Sequence, residues 1–230
     1  MNSLPYPRWR SWLSHLIDQR LITAQGQHTE ELAVVLRDGK LILQADGAVY
    51  SWEDNYYNFR EAFHALAWDR LSGDKVLLLG LGLGSIPQIL EEGFGKDLDY
   101  VAVEHDEVVV ELAERYLLYR LSSRMETVVA DATAFVAQDS RQYDLILVDL
   151  FVDDQVPLHF ERETFLRQLE NRLTAGGCLI SNRLTYTAVN RAATQHYIDK
   201  VFLKVFPDGG CLDVESNWML YSDKAFLEQR

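Results

Sequence analysis

The chain is short of cysteine and proline, with 2 and 5 among 230 residues, and it has no long apolar run. Two cysteines cannot staple a small fold, so the disulfide-dense secreted classes are excluded. Cys178 and Cys211 sit in strand-like contexts (GGCLIS, GGCLDV) with no CxxC and no histidine at ligand spacing. Both read as small buried hydrophobes in a reducing compartment, and no metal is expected. No window approaches the run of about 18 apolar residues that a membrane span needs. The opening MNSLPYPRWRSWL also lacks the apolar centre of a signal peptide, so a cytoplasmic location is expected. Positive charge is scarce as well: 22 Lys plus Arg stand against 35 Asp plus Glu, a net charge of -13. Such a field disfavours a phosphate backbone or an anionic lipid surface, which leaves nucleic acid and membrane out of the expected partners. A cationic small molecule is drawn in by the same field. What is present, 48% hydrophobic and 25% charged, is globular composition with length for one substantial core.

The character of the sequence changes once, near residue 55, giving an expected N-terminal unit over 1–54 and a main domain over 55–230. In the first unit, residues 7–19 place Trp9, Trp12, Leu13, Leu16 and Ile17 at helical spacing, a stripe that could pack a second copy in a homodimer. ELAVVLR, KLILQAD and AVYSW follow as short strands, separated by Asp38-Gly39 and Asp46-Gly47, the dipeptides that favour hairpins. A helix is expected from residue 55, with Tyr56, Phe59, Phe63 and Leu66 on one face, ending near 72–73. Thereafter strand and helix patterns alternate: KVLLLG, IPQILEEGF, LDYVAVE, DEVVVELAERYLLYRL, METVVA, ATAFVAQ and YDLILVDL. Alternation with continuously apolar strands predicts an α/β doubly wound, Rossmann-like sheet covered on both faces. A helix over about 159–173, stopped by Gly176-Gly177, precedes the strand CLISNR. A helix over 188–205 precedes GCLDVE and WMLYSD, a pair linked too closely for a crossover helix and so antiparallel near a sheet edge. Seven strands with an antiparallel C-terminal strand favour the methyltransferase-type sheet.

Chemistry-bearing residues fall at four successive strand ends. KVLLLG runs into Gly80-Leu81-Gly82-Leu83-Gly84-Ser85, a glycine turn that lets backbone approach a nucleotide-like ligand. Ser85 stands where a dinucleotide fingerprint has its third glycine, which disfavours a nicotinamide dehydrogenase. Glu104, with His105 beside it, lies about twenty residues on, where a carboxylate can accept both ribose hydroxyls. Asp106 suits the cap of the following helix. Asp131 and Ala132 end the third strand, where acid and amide can meet an adenine or simply cap the helix. Asp149 ends the fourth, beside the switch point of the sheet.

These stretches, with LILQADGAVYSWEDNYYNFREAF before them and VPLHFERETFLRQLENRLTAGGCLISN after, resemble the spermidine synthase family within the class I adenosylmethionine-dependent methyltransferase superfamily. The resemblance spans roughly residues 40–222. It implies a cofactor of the S-adenosylmethionine type, with Gly80, Gly82, Gly84, Glu104, His105, Asp131 and Ala132 binding it and Asp149 near the sulfonium and the acceptor. Three departures bear on the reaction. Leu83 replaces an acid of the family's glycine turn that pairs with the ammonium of decarboxylated S-adenosylmethionine. Asp149-Leu150-Phe151-Val152-Asp153-Asp154 keeps the first acid of a DSSDP-like sequence without its hydroxyls. Phe59-Arg60-Glu61 replaces Tyr-Gln-Glu, and an arginine there with a leucine in the turn suits a cofactor that retains its carboxylate.

The favoured expectation is methyl transfer from S-adenosylmethionine to a small acceptor, an amine among the candidates, with Asp149 taking the proton. Asp153, Asp154 and Tyr57 are candidate acceptor contacts. Aminopropyl transfer to a polyamine and a non-catalytic binding protein of the same fold are the alternatives. His159 and His196 read as isolated residues of surface helices.

Overall fold

The computed structural model describes residues 4–27, 29–46, 48–151 and 156–228. Residues 19–52 form a four-stranded antiparallel sheet, β1 (Gln19–Ala24), β2 (Leu32–Arg37), β3 (Lys40–Ala45) and β4 (Ala48–Trp52), in sequential order. Beyond it lie β5 (Lys75–Leu79), β6 (Asp99–Glu104), β7 (Arg124–Val129), β8 (Tyr143–Val148), β9 (Leu173–Leu184), β10 (Gly210–Val214) and β11 (Asn217–Tyr221). They make a seven-stranded sheet in the order β10-β11-β9-β8-β5-β6-β7, parallel from β7 through β9, with β11 antiparallel between β9 and β10. The helices are α1 (Arg8–Leu13), α2 (Tyr57–Ala65), α3 (Ser85–Gln88, continued by a π-turn to Gly93), α4 (Glu107–Tyr116), α5 (Ala132–Gln138), α6 (Glu163–Glu170), α7 (Ala188–Tyr197) and α8 (Leu203–Val205). No helix of the described residues is long and apolar enough to cross a membrane.

The middle strands are buried on both faces because both faces carry helices. Alternate residues of β5 and β8 split between two cores. Val76, Leu78, Leu145 and Leu147 pack with Phe59, Phe63 and Ile86 on one side. Leu77, Leu79, Ile146 and Val148 pack with Val136, Phe165 and Leu169 on the other. Each fully buried leucine contributes roughly 1.5–3 kcal/mol. The small sheet lays Leu32, Val34, Leu41 and Leu43 against Leu83, Val109, Leu112 and Tyr116, so it covers α4 and the glycine turn.

Several expected boundaries give way to tertiary pairing. The lead helix stops at Leu13, short of residue 19: Ser14 accepts from the Asp38 and Gly39 amides at 3.0 and 2.8 Å, and the chain peels off into β1. Trp9, Trp12, Leu16 and Ile17 face outward. The helix expected from 55 to 72–73 occupies only Tyr57–Ala65, because Leu66 bridges to Leu227 and the Ala67 amide donates to the Phe226 carbonyl. The helix expected over 159–173 is shorter too, and the glycine pair lies inside β9 rather than stopping a helix. Gly176 has φ +86°, and a Cβ on Gly177 would sit 3.0 Å from the Tyr143 carbonyl oxygen, so the pair makes the bulge that brings β9 back into register with β8. Cys178 is buried as expected, but Cys211 is exposed because β10 is the sheet edge.

Candidate active site

Strand β5 has β6 on one side and β8 on the other, so the chain leaves the sheet in opposite directions around its carboxyl end. A crevice opens at such a switch point. Here it is a cavity of about 730 Å³. The ladder runs directly into its residues: the Gly80 amide donates to Val103, the Asp149 amide to Leu79 and the Ala130 amide to Glu104, all within 2.8–2.9 Å. Gly80, Gly82 and Gly84 have φ of +90°, +54° and +96°. At Gly80 a Cβ would overlap the Asp149 carbonyl oxygen, so only glycine lets the turn pass beside β8. Ser51 on β4 holds the turn from above, accepting from the Leu83 amide at 3.3 Å and sharing a 2.7 Å hydrogen bond with Ser85.

Two carboxylates of the cavity have opposite surroundings. Glu104 is folded back on the turn: Oε2 accepts from the Leu81 and Gly82 amides at 3.1 and 3.3 Å, and Oε1 accepts from the His105 and Asp106 amides at 2.8 and 3.3 Å. His105 Nδ1 lies 2.8 Å from Oε1. Burial pushes the Glu104 carboxyl up, but these donors, His105 foremost, outweigh it and hold the group below its ordinary range. The hydrogen bond to Glu104 raises His105 in turn. Asp149 has only side-chain partners. Tyr56 donates its hydroxyl to Oδ2 at 2.7 Å, and Asn182 donates Nδ2 to Oδ1 at 3.0 Å. Desolvation dominates, the Glu104 charge adds to it, and Asp149 is pushed up to about 6. Burial and the neighbouring Asp149 raise Tyr56 well above its ordinary value.

Gly80, Gly82, Glu104, His105, Asp131, Ala132, Asp149 and Tyr57 all line this one cavity. Gly84 shapes the turn without lining it, since its own Cβ position lies 2.6 Å from Leu118. Asp131 caps α5 through the Ala134 amide at 2.9 Å, and its other oxygen lies 3.6 Å from His159 Nε2. Asp106 caps α4 through the Val108 amide. Asp153 and Asp154 lie outside the described residues. Three expectations are corrected. His159 is a cavity residue, brought there by the 3-10 turn Leu158–Glu161. Leu83 is fully buried among Leu32, Val34 and Val109 and does not line the cavity. Arg60 turns away from it, donating to the Asp54 carbonyl at 3.3 Å and lying 5.4 Å from the Tyr57 ring centre, so no guanidinium waits there for a cofactor carboxylate. Ser51, Asn182 and Asn217 carry no motif in the sequence, and Tyr56, expected only on the apolar face of a helix, instead donates to Asp149. Among the described residues no group of three or more His, Cys, Asp or Glu could hold a metal ion.

No protein-family model matches the chain. A polyamine aminopropyltransferase of Vibrio vulnificus is 31% identical over 113 residues, which are 47% of this chain and 37% of that protein. A spermidine synthase solved in complex with the transition-state analogue AdoDATO superposes with a TM-score of 0.69 at 17% identity, covering 90% of this chain and 74% of that one. The chain is thus similar in sequence to an aminopropyltransferase and in fold to a spermidine synthase. An eEF1A lysine and N-terminal methyltransferase of Homo sapiens is also 31% identical, over 120 residues, 46% of this chain and 17% of that protein. The chain therefore spans little more than a third of the length of the Vibrio relative and less of the human one.

Proposed function

We propose that this chain transfers a methyl group from S-adenosylmethionine to an amine of a small acceptor. The observation that carries the reading is Asp149, held by Tyr56 and Asn182 in the cavity with its pKa near 6. An alkyl amine has a pKa of about 10.4 and arrives protonated, so it must lose a proton before it attacks. A carboxylate with a pKa near 6 is ionised at neutral pH and more basic than an ordinary aspartate. The sulfonium group supplies an activated carbon, and the residues' task is to hold the uncharged nitrogen about 3 Å from it, in line with the leaving sulfur.

The residues fit such a cofactor. The left-handed glycine turn leaves backbone bare along the cavity, Glu104 and His105 stand at the end of β6 for a ribose, and Asp131 and Ala132 stand at the end of β7 for an adenine. The volume is that of a small-ligand pocket, typically about 300–1,000 Å³. The turn from Gly80 to Ser85 carries no acid for the ammonium of decarboxylated S-adenosylmethionine, which favours methyl over aminopropyl transfer, although Leu83 itself packs away from the cavity. One observation favours aminopropyl transfer as a second reading: the described lining includes Glu104, Asp131, Asp149 and Glu215 but no lysine or arginine. The unpaired thiols support a cytoplasmic setting, and the exposed Trp9 and Trp12 of α1, with Leu16 and Ile17 just beyond it, support a homodimer.

The test is to incubate the protein with primary amines and either methyl-labelled S-adenosylmethionine or its decarboxylated form, with product masses as readout. Methylated amine from the first, lost in Asp149→Asn, is the expected result. An aminopropyl adduct from the second turns the reading to polyamine synthesis, and product from neither leaves a non-catalytic binding protein.

A further inference from the structure

Along β9, Cys178 and Ile180 point into the core under α2, as Tyr221 and Met219 do on the facing β11. At the carboxyl end of β9 the same face continues as Asn182, which is 3% exposed, and on β11 it continues as Asn217. Two amides thus stand where apolar side chains would extend the core. They are joined to each other and to the cavity: Asn217 Nδ2 donates to Asn182 Oδ1 at 2.8 Å, and Asn182 Nδ2 donates to Asp149 Oδ1 at 3.0 Å.

We propose that Asn182 and Asn217 form a positioning relay that fixes the orientation of the Asp149 carboxylate toward the acceptor amine, an inference that rests on the reading of Asp149 as proton acceptor. An amide can present either end, and only its N–H end suits an anion. The Asn217 donor occupies the Asn182 oxygen and so commits Asn182 to giving its nitrogen to Asp149. With Tyr56 on Oδ2, each carboxylate oxygen then has one fixed donor. The remaining lone pairs are left for the cavity, where the acceptor N–H arrives. Asn217 follows the turn residues Glu215 and Ser216, which also line the cavity, so the relay ties the edge hairpin to the base.

The relay makes a prediction that packing alone does not. Removing a donor from a buried carboxylate destabilises its charged form, so the Asp149 titration moves up. Besides the two asparagines, Asp149 faces the Tyr56 hydroxyl and the Glu104 charge, and His105, Asp106, Asp131, His159 and Glu215 line the same cavity. Of these only Tyr56 also has Asn182 as a hydrogen-bond partner, so the Asn217 variants are the ones that leave the rest of the surroundings in place. The experiment is a carbon-13 NMR titration of aspartate side-chain carboxyls, with the Asp149 resonance assigned by its loss in Asp149→Asn. The midpoint is expected to rise by about one unit in Asn182→Leu and by a smaller amount in Asn217→Ala, a partly exposed site one residue further from the carboxylate. Asn217→Asp, which replaces the donor by an acceptor and adds a negative charge, is expected to raise it more than Asn217→Ala. Midpoints unchanged to within about 0.2 units in folded Asn182→Leu, or in Asn217→Ala and Asn217→Asp should the first not fold, overturn the relay. The titration needs neither cofactor nor acceptor, so it succeeds or fails apart from the transferase reading. Where transfer is detected, Asn182→Leu is expected to lose rate at pH 6.5 and regain most of it at pH 8.5, which a general loss of structure does not do.

Discussion

Glu104 and Asp149 end neighbouring regions of one cavity, yet one is held below the ordinary carboxylate range and the other is pushed up to about 6. Burial acts upward on both. The difference lies in the donors: Glu104 collects four backbone amides and a histidine, whereas Asp149 has one phenol and one carboxamide. Backbone amides cannot leave, so Glu104 is a fixed anion that locks the glycine turn. Asp149 has a proton affinity that neutral pH can switch. Pairs of acids driven apart in this way mark a division of labour.

The largest expected effect separates the two regions. Asp149→Asn should lower transfer by at least about 100-fold, the lower end for a general base, while S-adenosylmethionine affinity changes only a few-fold. Gly80→Ala joins the regions, since its Cβ strikes the Asp149 carbonyl at φ +90°. It should lower stability by about 3 kcal/mol in denaturant unfolding and damage both cofactor binding and turnover. Glu104→Gln keeps shape but turns half of an anionic acceptor into a donor, costing about 2 kcal/mol of stability and most of the cofactor affinity. Arg60→Ala, remote from the cavity, should leave that affinity within about twofold, well under the 1.4 kcal/mol of a tenfold change.

The pH dependences should also diverge. Asp149 holds its proton in the folded protein to a higher pH than in the unfolded chain. Its contribution to stability is therefore full below the unfolded value near 3.8 and lost as pH rises through about 6. Glu104 behaves oppositely, stabilising above its unfolded value and losing that contribution as pH falls through its lowered folded value. At pH 7.5 Asp149→Asn should thus be as stable as the parent or more so, by up to about 2 kcal/mol, with the advantage gone below pH 4. Transfer should rise with pH through about 6.

The main sheet was legible because its signals are local: apolar runs, amphipathic helices and acids at strand ends all lie within a few residues of one another. The glycine turn, Glu104, Asp131 and Asp149 came from that pattern. β1 was not, since QRLITA is a strand only by virtue of its pairing with β2. The partners of Asp149 were hidden by distance along the chain, with Tyr56 93 positions away and Asn182 33. A trace of Asn182 was nevertheless present, because CLISNR carries an amide on the face that Cys178 and Ile180 bury. Arg60 misled because the resemblance gave only its place, opposite the family's Gln, and not the direction its guanidinium takes.

The most direct test is calorimetric titration of S-adenosylmethionine into the parent protein, Asp149→Asn and Glu104→Gln, side by side at neutral pH. The predicted result is binding to the first two at comparable affinity and its loss in the third. No binding to the parent, or binding lost with Asp149 and kept without Glu104, would contradict the assignment of the two acids.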